Sequence, residues 1–449
     1  MRRPQRLWPA GGLWRHGDFL KLWSAETISQ FGSQIGGFAL PLVAIITLDA
    51  SPFQVSALFV VEFAPFLLIS LPAGVWVDRL PRRPILILGD LGRFAALLTI
   101  PIAYGLDVLT VWQLYGVGFF VGVCTVFFDV AYQSYLPSLV ERSQLVEGNS
   151  RLEVSRSAAQ LSGPALAGVL VELLKAPFAI LFDAISFLVS GLFVLAIGKR
   201  EENVPTRAER KQANSSMKAE LREGLGWVLG NPYLRTISAA TATFNLFGSM
   251  MFAILALYLV RGLGMSPGLI GIIFAIGQAG YLLGAVFASR VARWIGVGPA
   301  IVLGAACGIA QLLVPIAPQD ARGAIPFLVV ATLVVSFGVV TYNVTQLSMR
   351  QAITPERLQG RMNSTIRFIV WGVMPIGQLT GGALATAFDL RTAIWVGAIG
   401  SSLAWLPLVI GPVRSLREMP EPFQEPAERL AETEGEALMP GPFPQPEEQ

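Results

Sequence analysis

Histidine and cysteine are scarce in this sequence. Among 449 residues there is one histidine, His16, in a polar stretch near the N-terminus, so an internal imidazole base or a multi-histidine metal centre is excluded. The two cysteines, Cys124 and Cys307, lie far apart in apolar runs and are interpreted as packing residues. Because the sequence also lacks a nucleotide-binding glycine loop, we expect no metal, no cofactor and no enzymatic activity.

Charged residues are also few. Only 14% of the residues are charged and 53% are hydrophobic, and the mean hydropathy is +0.58. Soluble domains carry about 25% charged residues, so a cytosolic enzyme or a nucleic-acid-binding protein is disfavoured. The composition predicts a membrane protein without a nucleic-acid partner.

Long apolar runs fill most of the chain. Each is about 20 residues long, enough to cross a hydrocarbon core as a helix, and none shows the two-residue alternation of a barrel strand. The sequence therefore predicts an all-α membrane protein with twelve transmembrane helices. The predicted spans are 19–48, 53–77, 84–104, 109–135, 152–173, 177–198, 236–260, 268–291, 299–317, 324–349, 362–387 and 391–412.

The cations are distributed unequally between the two sides of the predicted membrane. If the N-terminus lies inside, 29 of the 33 lysines and arginines fall on the inner side and 4 in outer loops. The outer cations are Lys175, Arg261, Arg322 and Arg391. The positive-inside rule then places both termini in the cytoplasm and the protein in the cell membrane as a multi-pass protein without a cleavable signal peptide.

A polar central stretch divides the spans into two groups of six. Residues recur at an offset of 214 on either side of it, which predicts a parallel duplication, although chance pairing of small residues is the alternative. The pairs are Asp129/Asn343, Ser134/Ser348, Asn149/Asn363, Ser150/Ser364, Gly163/Gly377 and Gly168/Gly382. We predict six-helix halves at 1–198 and 236–414, a cytoplasmic loop at 199–235 and a disordered acidic tail at 415–449.

The connection between predicted spans 2 and 3 carries the run Gly74-Val75-Trp76-Val77-Asp78-Arg79-Leu80-Pro81-Arg82-Arg83. This run resembles the loop signature of the major facilitator superfamily. The resemblance implies a cytoplasmic latch that closes the inner side, although the arginines could instead only set topology. The implied latch residues are Gly74, Asp78, Arg79, Arg82, Arg83 and, as acidic partner, Asp129. At the duplicate position Ala288 and Ala292 replace Gly74 and Asp78.

Other segments resemble one branch of that superfamily, which contains the enterobactin exporters and macrolide efflux proteins. Within this branch, the sequence is most similar in overall character to actinobacterial drug exporters. These segments are Phe128 to Pro137, Asp183 to Phe187, Arg222 to Leu225 and Gly360 to Ser364. The run Gly163-Pro164-Ala165-Leu166-Ala167-Gly168 is similar to the core of a motif associated with proton antiporters. Proline can kink the helix there, and the glycines permit close helix packing.

Proton coupling requires an ionisable group inside the membrane. The candidates are Glu62 in span 2, Glu26 in span 1 and Asp183 near the outer end of span 6. Low dielectric favours the protonated form of a carboxyl group, which suits it to carry a proton. Glu26 could instead be solvated at the interface, and Asp183 could instead cap or pair near a helix end. The resembling family often has an aspartate after the glycine of the first helix, but Ser33 follows Gly32 here.

The resemblance implies that spans 1, 4, 7 and 10 line a mostly apolar cavity. This nominates Gln30, Gln34, Asn245, Asn343 and Gln346 as substrate contacts. The sequence thus predicts a monomeric secondary transporter that exports hydrophobic or amphipathic molecules in exchange for protons. A siderophore exporter and a lysophospholipid translocator of the same fold are alternatives, and a membrane receptor or polytopic enzyme is a more distant one.

Overall fold

The computed structural model describes residues 13–77, 80–141, 144–199 and 217–418. Regular structure in these ranges is helical throughout, and twelve helices are long and apolar enough to cross a membrane. The number of membrane-length helices is therefore as predicted. The first six are α1 Gly17–Thr47, α2 Pro52–Val77, α3 Arg82–Gly105, α4 Val111–Leu139, α5 Leu145–Leu174 and α6 Ala176–Leu195.

A shorter helix, α7 Met217–Gly230, lies inside the stretch predicted to be a loop at 199–235. The sequence did not predict this helix, and the assignment of 199–235 as a cytoplasmic loop stays a prediction. The remaining membrane-length helices are α8 Pro232–Gly262, α9 Pro267–Ile295, α10 Val297–Ile316, α11 Ala321–Ala352, α12 Leu358–Ala387 and α13 Leu390–Ile410.

Helix α7 packs on the start of α12. Val228 of α7 is fully buried in an apolar cluster with Met362 and Ile366, and Gly224 lets the two backbones approach at Arg361. The many cations of this stretch hide that apolar face in a hydropathy profile, because a profile averages over both faces of a helix.

The membrane-length helices pack mainly within the first six and within the last six. Helix α1 packs on α5 and α6, and α3 packs on α4 and α6; α9 packs on α11, and α8 packs on α12 and α13. Short connections make successive helices antiparallel within each group of six. The ends of α1 and α8 meet where Arg261 donates to Ile45 and Ala50, so both groups start on the same side and the first and last described residues lie on that side of the bundle. We call this the terminus side and the other the opposite side.

Helices α1 and α8 end in the same irregular way on the opposite side. Val43–Thr47 and Tyr258–Gly262 are π-helical turns, which are rare. In both turns, the first carbonyl accepts from the amide five residues later and the second carbonyl accepts from the amide six residues later. Both are followed by a residue with positive φ, Asp49 at 46° and Gly264 at 64°. The two helix ends thus share one backbone geometry.

Candidate functional site

A cavity of about 520 Å³ lies in the middle of the bundle, walled by α1, α5, α8, α9, α10 and α11. This volume is within the range of about 300–1,000 Å³ for small-molecule sites. The wall is mainly aliphatic and aromatic, and its polar side chains are few. They are Ser33, Gln34, Gln278, Tyr281, Gln311, Thr332 and Ser336.

Neighbouring helices hold two of the glutamines in place. Gly163 of α5 leaves room for the stem of Gln34, because a methyl group at Gly163 would overlap that stem. Gln311 is buried and accepts a hydrogen bond from Ser401 of α13 through its side-chain oxygen. The polar groups therefore project from packed helices, which fixes their positions.

Phenylalanines close the cavity toward the opposite side. Phe38 of α1 and Phe274 of α9 meet edge to face with ring centroids 6.2 Å apart, and Phe59 of α2 meets Phe252 of α8 at 5.5 Å. These pairs join the first six membrane-length helices to the last six, and they surround a small apolar void of about 50 Å³.

An arginine joins the ends of α1 and α8 beyond these rings. The Arg261 guanidinium donates to the carbonyl oxygens of Ile45 and Ala50 at 2.8 and 3.0 Å and lies 2.6 Å from the Asp49 carboxylate. We call this group the Arg261 clasp. It ties the π-helical turn of α8 to that of α1 on the opposite side.

Glycines bring α5 and α9 into direct contact on the same side. A methyl group at Gly271 of α9 would overlap the Pro164 carbonyl oxygen and lie 3.0 Å from the Gly168 Cα atom. One turn further on, the Glu172 carboxylate accepts from the amide of Gly268 at 2.9 Å, at the start of α9. The run from Gly163 to Gly168 thus lies at two helix contacts, with α1 and with α9.

Like Glu26 among the three predicted coupling acids, Asp183 is buried. Its side chain is 5% exposed and lies against Gly32 and Gly36 of α1, where a methyl group at Gly36 would overlap a carboxyl oxygen. Its Oδ1 atom has no hydrogen-bond partner in the described part of the chain. The residue lies seven positions inside α6 and not near its end. Since Ser33 and Gly37 line the cavity, Asp183 lies directly behind the cavity helix.

The other two predicted coupling acids, Glu26 and Glu62, have different surroundings from those of Asp183. Glu26 is buried in α1 and accepts from Gln30 at 2.7 Å, and its second oxygen has no partner among the described residues. Glu62 is half-buried against Gly118 and Gly122 of α4, away from the cavity wall.

The predicted latch is only partly within the described residues. Asp78 and Arg79 lie outside them. Arg83 donates to the carbonyl oxygen of Leu195 at 2.6 Å, at the end of α6. Asp129 is exposed and forms no ion pair with a described residue. The remaining two latch positions, Gly74 and Arg82, lie at the end of α2 and the start of α3.

Of the five predicted cavity residues, Gln34 lies in the wall of the large cavity. Asn245 donates to the Val370 carbonyl oxygen at 2.7 Å and, with Asn343, lines a separate cavity of about 90 Å³. Gln346 accepts from Arg350 at 3.1 Å, and Gln30 is bound to Glu26. The sequence reasoning missed Gln278, Tyr281 and Gln311 because it nominated other helices, although glutamines in apolar helices were a usable signal.

A buried ion pair in α3 was also missed. Arg93, one of the 29 cations that the sequence count places on the inner side, is 2.6 Å from Asp90, which accepts from Ser190 of α6 at 2.8 Å. The Arg93 guanidinium lies 4.3 Å from the centroid of the Phe128 ring and 4.0 Å from that of Phe187. An acid and an arginine three residues apart in an apolar helix were the available signal.

The described residues form twelve membrane-length helices around a cavity of small-molecule size, an arrangement typical of a helical membrane transporter. Residues 22–375 and 238–442 match the family model of the Major Facilitator Superfamily, and the chain belongs to that family. It is a multi-pass protein of the cell membrane that transports small molecules, and the family is one of transporters and not of enzymes.

Curated relatives and solved structures show similarity at low identity. An uncharacterized MFS-type transporter, YfiS of Bacillus subtilis, is 26% identical over 60% of this chain, and the match spans 63% of that relative. Macrolide efflux protein A of Streptococcus pyogenes is 24% identical over 89% of this chain and 97% of its own length. A bacterial homologue of the iron transporter ferroportin, solved in an inward-facing state, superposes with a TM-score of 0.71 at 19% identity, over 89% of this chain and 99% of that one.

Proposed function

We propose that this transporter exports hydrophobic or amphipathic small molecules by alternating access. Two six-helix halves, 1–198 and 236–414, would rock about the 520 Å³ cavity. The size and the largely apolar wall of this cavity are the main support for the proposal. The shared π-helical ends of α1 and α8, 215 positions apart, support the duplication. The chain's similarity to a macrolide efflux protein supports export and an amphipathic substrate.

The proposed topology places both termini in the cytoplasm, because 29 of 33 cations then lie on the inner side. The opposite side, with its phenylalanine pairs, Arg261 clasp and α5–α9 glycine contact, is then extracellular. A transporter closed on that side faces inward. In the proposed cycle, substrate enters the cavity from the cytoplasm or inner leaflet and leaves when these contacts open.

The cytoplasmic latch acts at the opposite stage of the proposed cycle, when the inner side is closed. Asp129 is exposed and without an ion pair to a described residue in the present conformation. In the proposed cycle the latch residues Asp78, Arg79 and Asp129 would bias the protein toward the outward-facing state, in which the inner side is closed. The latch and the Arg261 clasp would thus stabilise opposite conformations.

Proton exchange is the proposed energy source, and Asp183 is the carboxyl group with the strongest structural support. Its oxygen without a described partner lies against the glycine face of α1, whose other face lines the cavity. An ionised, unpaired carboxylate is costly at such a site, so gaining or losing a proton would change how α1 packs on α6. Helix α1 could then transmit proton binding to the cavity without contact between proton and substrate.

The Arg261 clasp gives a prediction about conformation. Arg261→Ala should shift the protein toward the outward-open state by about 1 kcal/mol, about fivefold, because charged hydrogen bonds to two carbonyls are lost at a partly solvated site. Asp49→Asn should have a smaller effect, since the Asp49 side chain is 92% exposed.

The shift can be measured as reaction of a cysteine at position 33, in the cavity wall, with an impermeant thiol reagent added outside. The background would lack Cys124 and Cys307. If Arg261→Ala and Asp49→Asn had equal effects, the hydrogen bonds to the two carbonyl oxygens would not be the main source of the clasp's stability.

The proposed function is tested by efflux from cells that express the protein. Preloaded dyes, macrolides, siderophores and lysophospholipids should be compared with and without an uncoupler. We expect export of the amphipathic dyes or macrolides that stops when the proton gradient collapses. Export restricted to siderophores or lysophospholipids would favour those alternatives, and export that survives the uncoupler would argue against proton exchange.

A further inference from the structure

The wall of the 520 Å³ cavity is electrically neutral. It contains no aspartate, glutamate, lysine, arginine or histidine among its lining residues, all of which the structure describes. None of the three predicted coupling acids lines the cavity: Asp183 lies behind α1, Glu62 lies against α4, and Glu26 is bound to Gln30. A ligand in this cavity therefore meets no formal charge from the protein.

A charged ligand would lose its hydration there without gaining an ionic partner. Burying an unpaired charge is far more costly than burying a hydrogen-bonded neutral group. The rings of Phe38, Phe252 and Phe274 could attract a cation through their faces, but such contacts offset only part of the lost hydration. The same cost applies to a carboxylate, since the wall offers no cation.

Two amide side chains in the wall lack partners. Gln34 projects from α1 and Gln278 from α9, and neither has a hydrogen bond to a described residue. Each amide both donates and accepts, and polar groups in a largely apolar site need partners. A ligand with carbonyl, hydroxyl or amide groups would provide them, and it would touch both proposed halves at once.

We infer that the cavity selects neutral amphipathic molecules with hydrogen-bonding groups over quaternary ammonium ions and carboxylates, and that Gln34 and Gln278 determine this specificity. The inference rests on the proposed function and narrows its substrate class. Since Gln34 and Gln278 lie on different proposed halves, a neutral ligand with polar groups at two points bridges α1 and α9.

The test uses three probes built on one fluorophore: a neutral coumarin amide, the same coumarin carrying a trimethylammonium group, and the same coumarin carrying a carboxylate. Binding to purified full-length protein in lipid nanodiscs is measured by fluorescence anisotropy. Accumulation of the neutral probe in inside-out vesicles is measured in parallel. We expect the neutral probe to bind at least about tenfold more tightly than either charged probe.

Single substitutions test whether the two glutamines determine the preference among the probes. Gln278→Glu should shift preference toward the trimethylammonium probe by about tenfold, because it places an anion in the wall. Gln351→Glu adds the same charge at an exposed position outside the cavity and should change nothing. Gln34→Leu should weaken binding of the neutral probe by about fivefold through loss of a hydrogen bond.

The possible outcomes distinguish failure of the specificity inference from failure of the proposed export function. Equal or tighter binding of the trimethylammonium probe by the wild type, with the neutral probe still accumulated, overturns the inference and leaves the exporter intact. A Gln278→Glu preference no different from that of Gln351→Glu also overturns it. Failure of the wild type to accumulate the neutral probe or bind any of the three contradicts the proposed function itself.

Discussion

Asp183→Asn should abolish export driven by a proton gradient while leaving substrate exchange intact. Asparagine has nearly the same size as aspartate, so it should fit the groove formed by Gly32 and Gly36 and keep the α1–α6 packing. It cannot release or take up a proton. We expect gradient-driven export to fall by about tenfold or more, since conformations can no longer be biased by protonation.

Two measurements distinguish lost coupling from lost folding. Counterflow, the exchange of labelled for unlabelled substrate across vesicles without a gradient, should proceed at near wild-type rate in Asp183→Asn. Asp107→Asn makes the same change in an exposed loop and should behave as the wild type. Retained pH-driven export in Asp183→Asn, or its loss instead in Glu62→Gln or Glu26→Gln alone, would show that another carboxyl group carries the proton.

Gly271→Leu should prevent closure of the extracellular side. Even a methyl group at this position overlaps the Pro164 carbonyl oxygen, so a leucine must push α5 and α9 apart. Overpacking typically costs about 1–3 kcal/mol, a shift of about 5- to 150-fold. That cost falls on the inward-facing state only, because the contact opens in the outward-facing one. Export should therefore be lost while the protein remains inserted.

The conformational reason can be measured separately from transport. With a cysteine at position 33, labelling by an impermeant reagent from outside should accelerate in Gly271→Leu. Gly116→Leu is the matched control, since a side chain at exposed Gly116 meets no atom within 4 Å. Unchanged labelling in Gly271→Leu would contradict the role of the α5–α9 contact.

The membrane-length helices were predictable because each one needs a run of about 20 mainly apolar residues, which is visible in the sequence. Predicted spans such as 177–198 and 299–317 lie within a few residues of Ala176–Leu195 and Val297–Ile316. Helix α7 escaped prediction because its apolar face is interrupted by cations and becomes evident only where Val228 packs on α12.

The site was less predictable, because its composition depends on packing between distant helices. Asp183 could be nominated as an intramembrane acid, but its place behind α1 depends on the glycines at 32 and 36. Gln278 and Gln311 join the wall only because α9 and α10 face the same cavity as α1. The partner of Arg93 could have been found from sequence, since Asp90 is one turn away.

Transport in inside-out vesicles tests proton-coupled export through the 520 Å³ cavity. In vesicles whose lumen is acidic, protons leaving the lumen should drive the neutral coumarin amide inward, so that it accumulates above its passive level. Accumulation should collapse on addition of an uncoupler and be absent from vesicles carrying Gly271→Leu. Accumulation equal with and without the gradient, or equal in vesicles that lack the protein, would contradict proton-coupled export through this cavity.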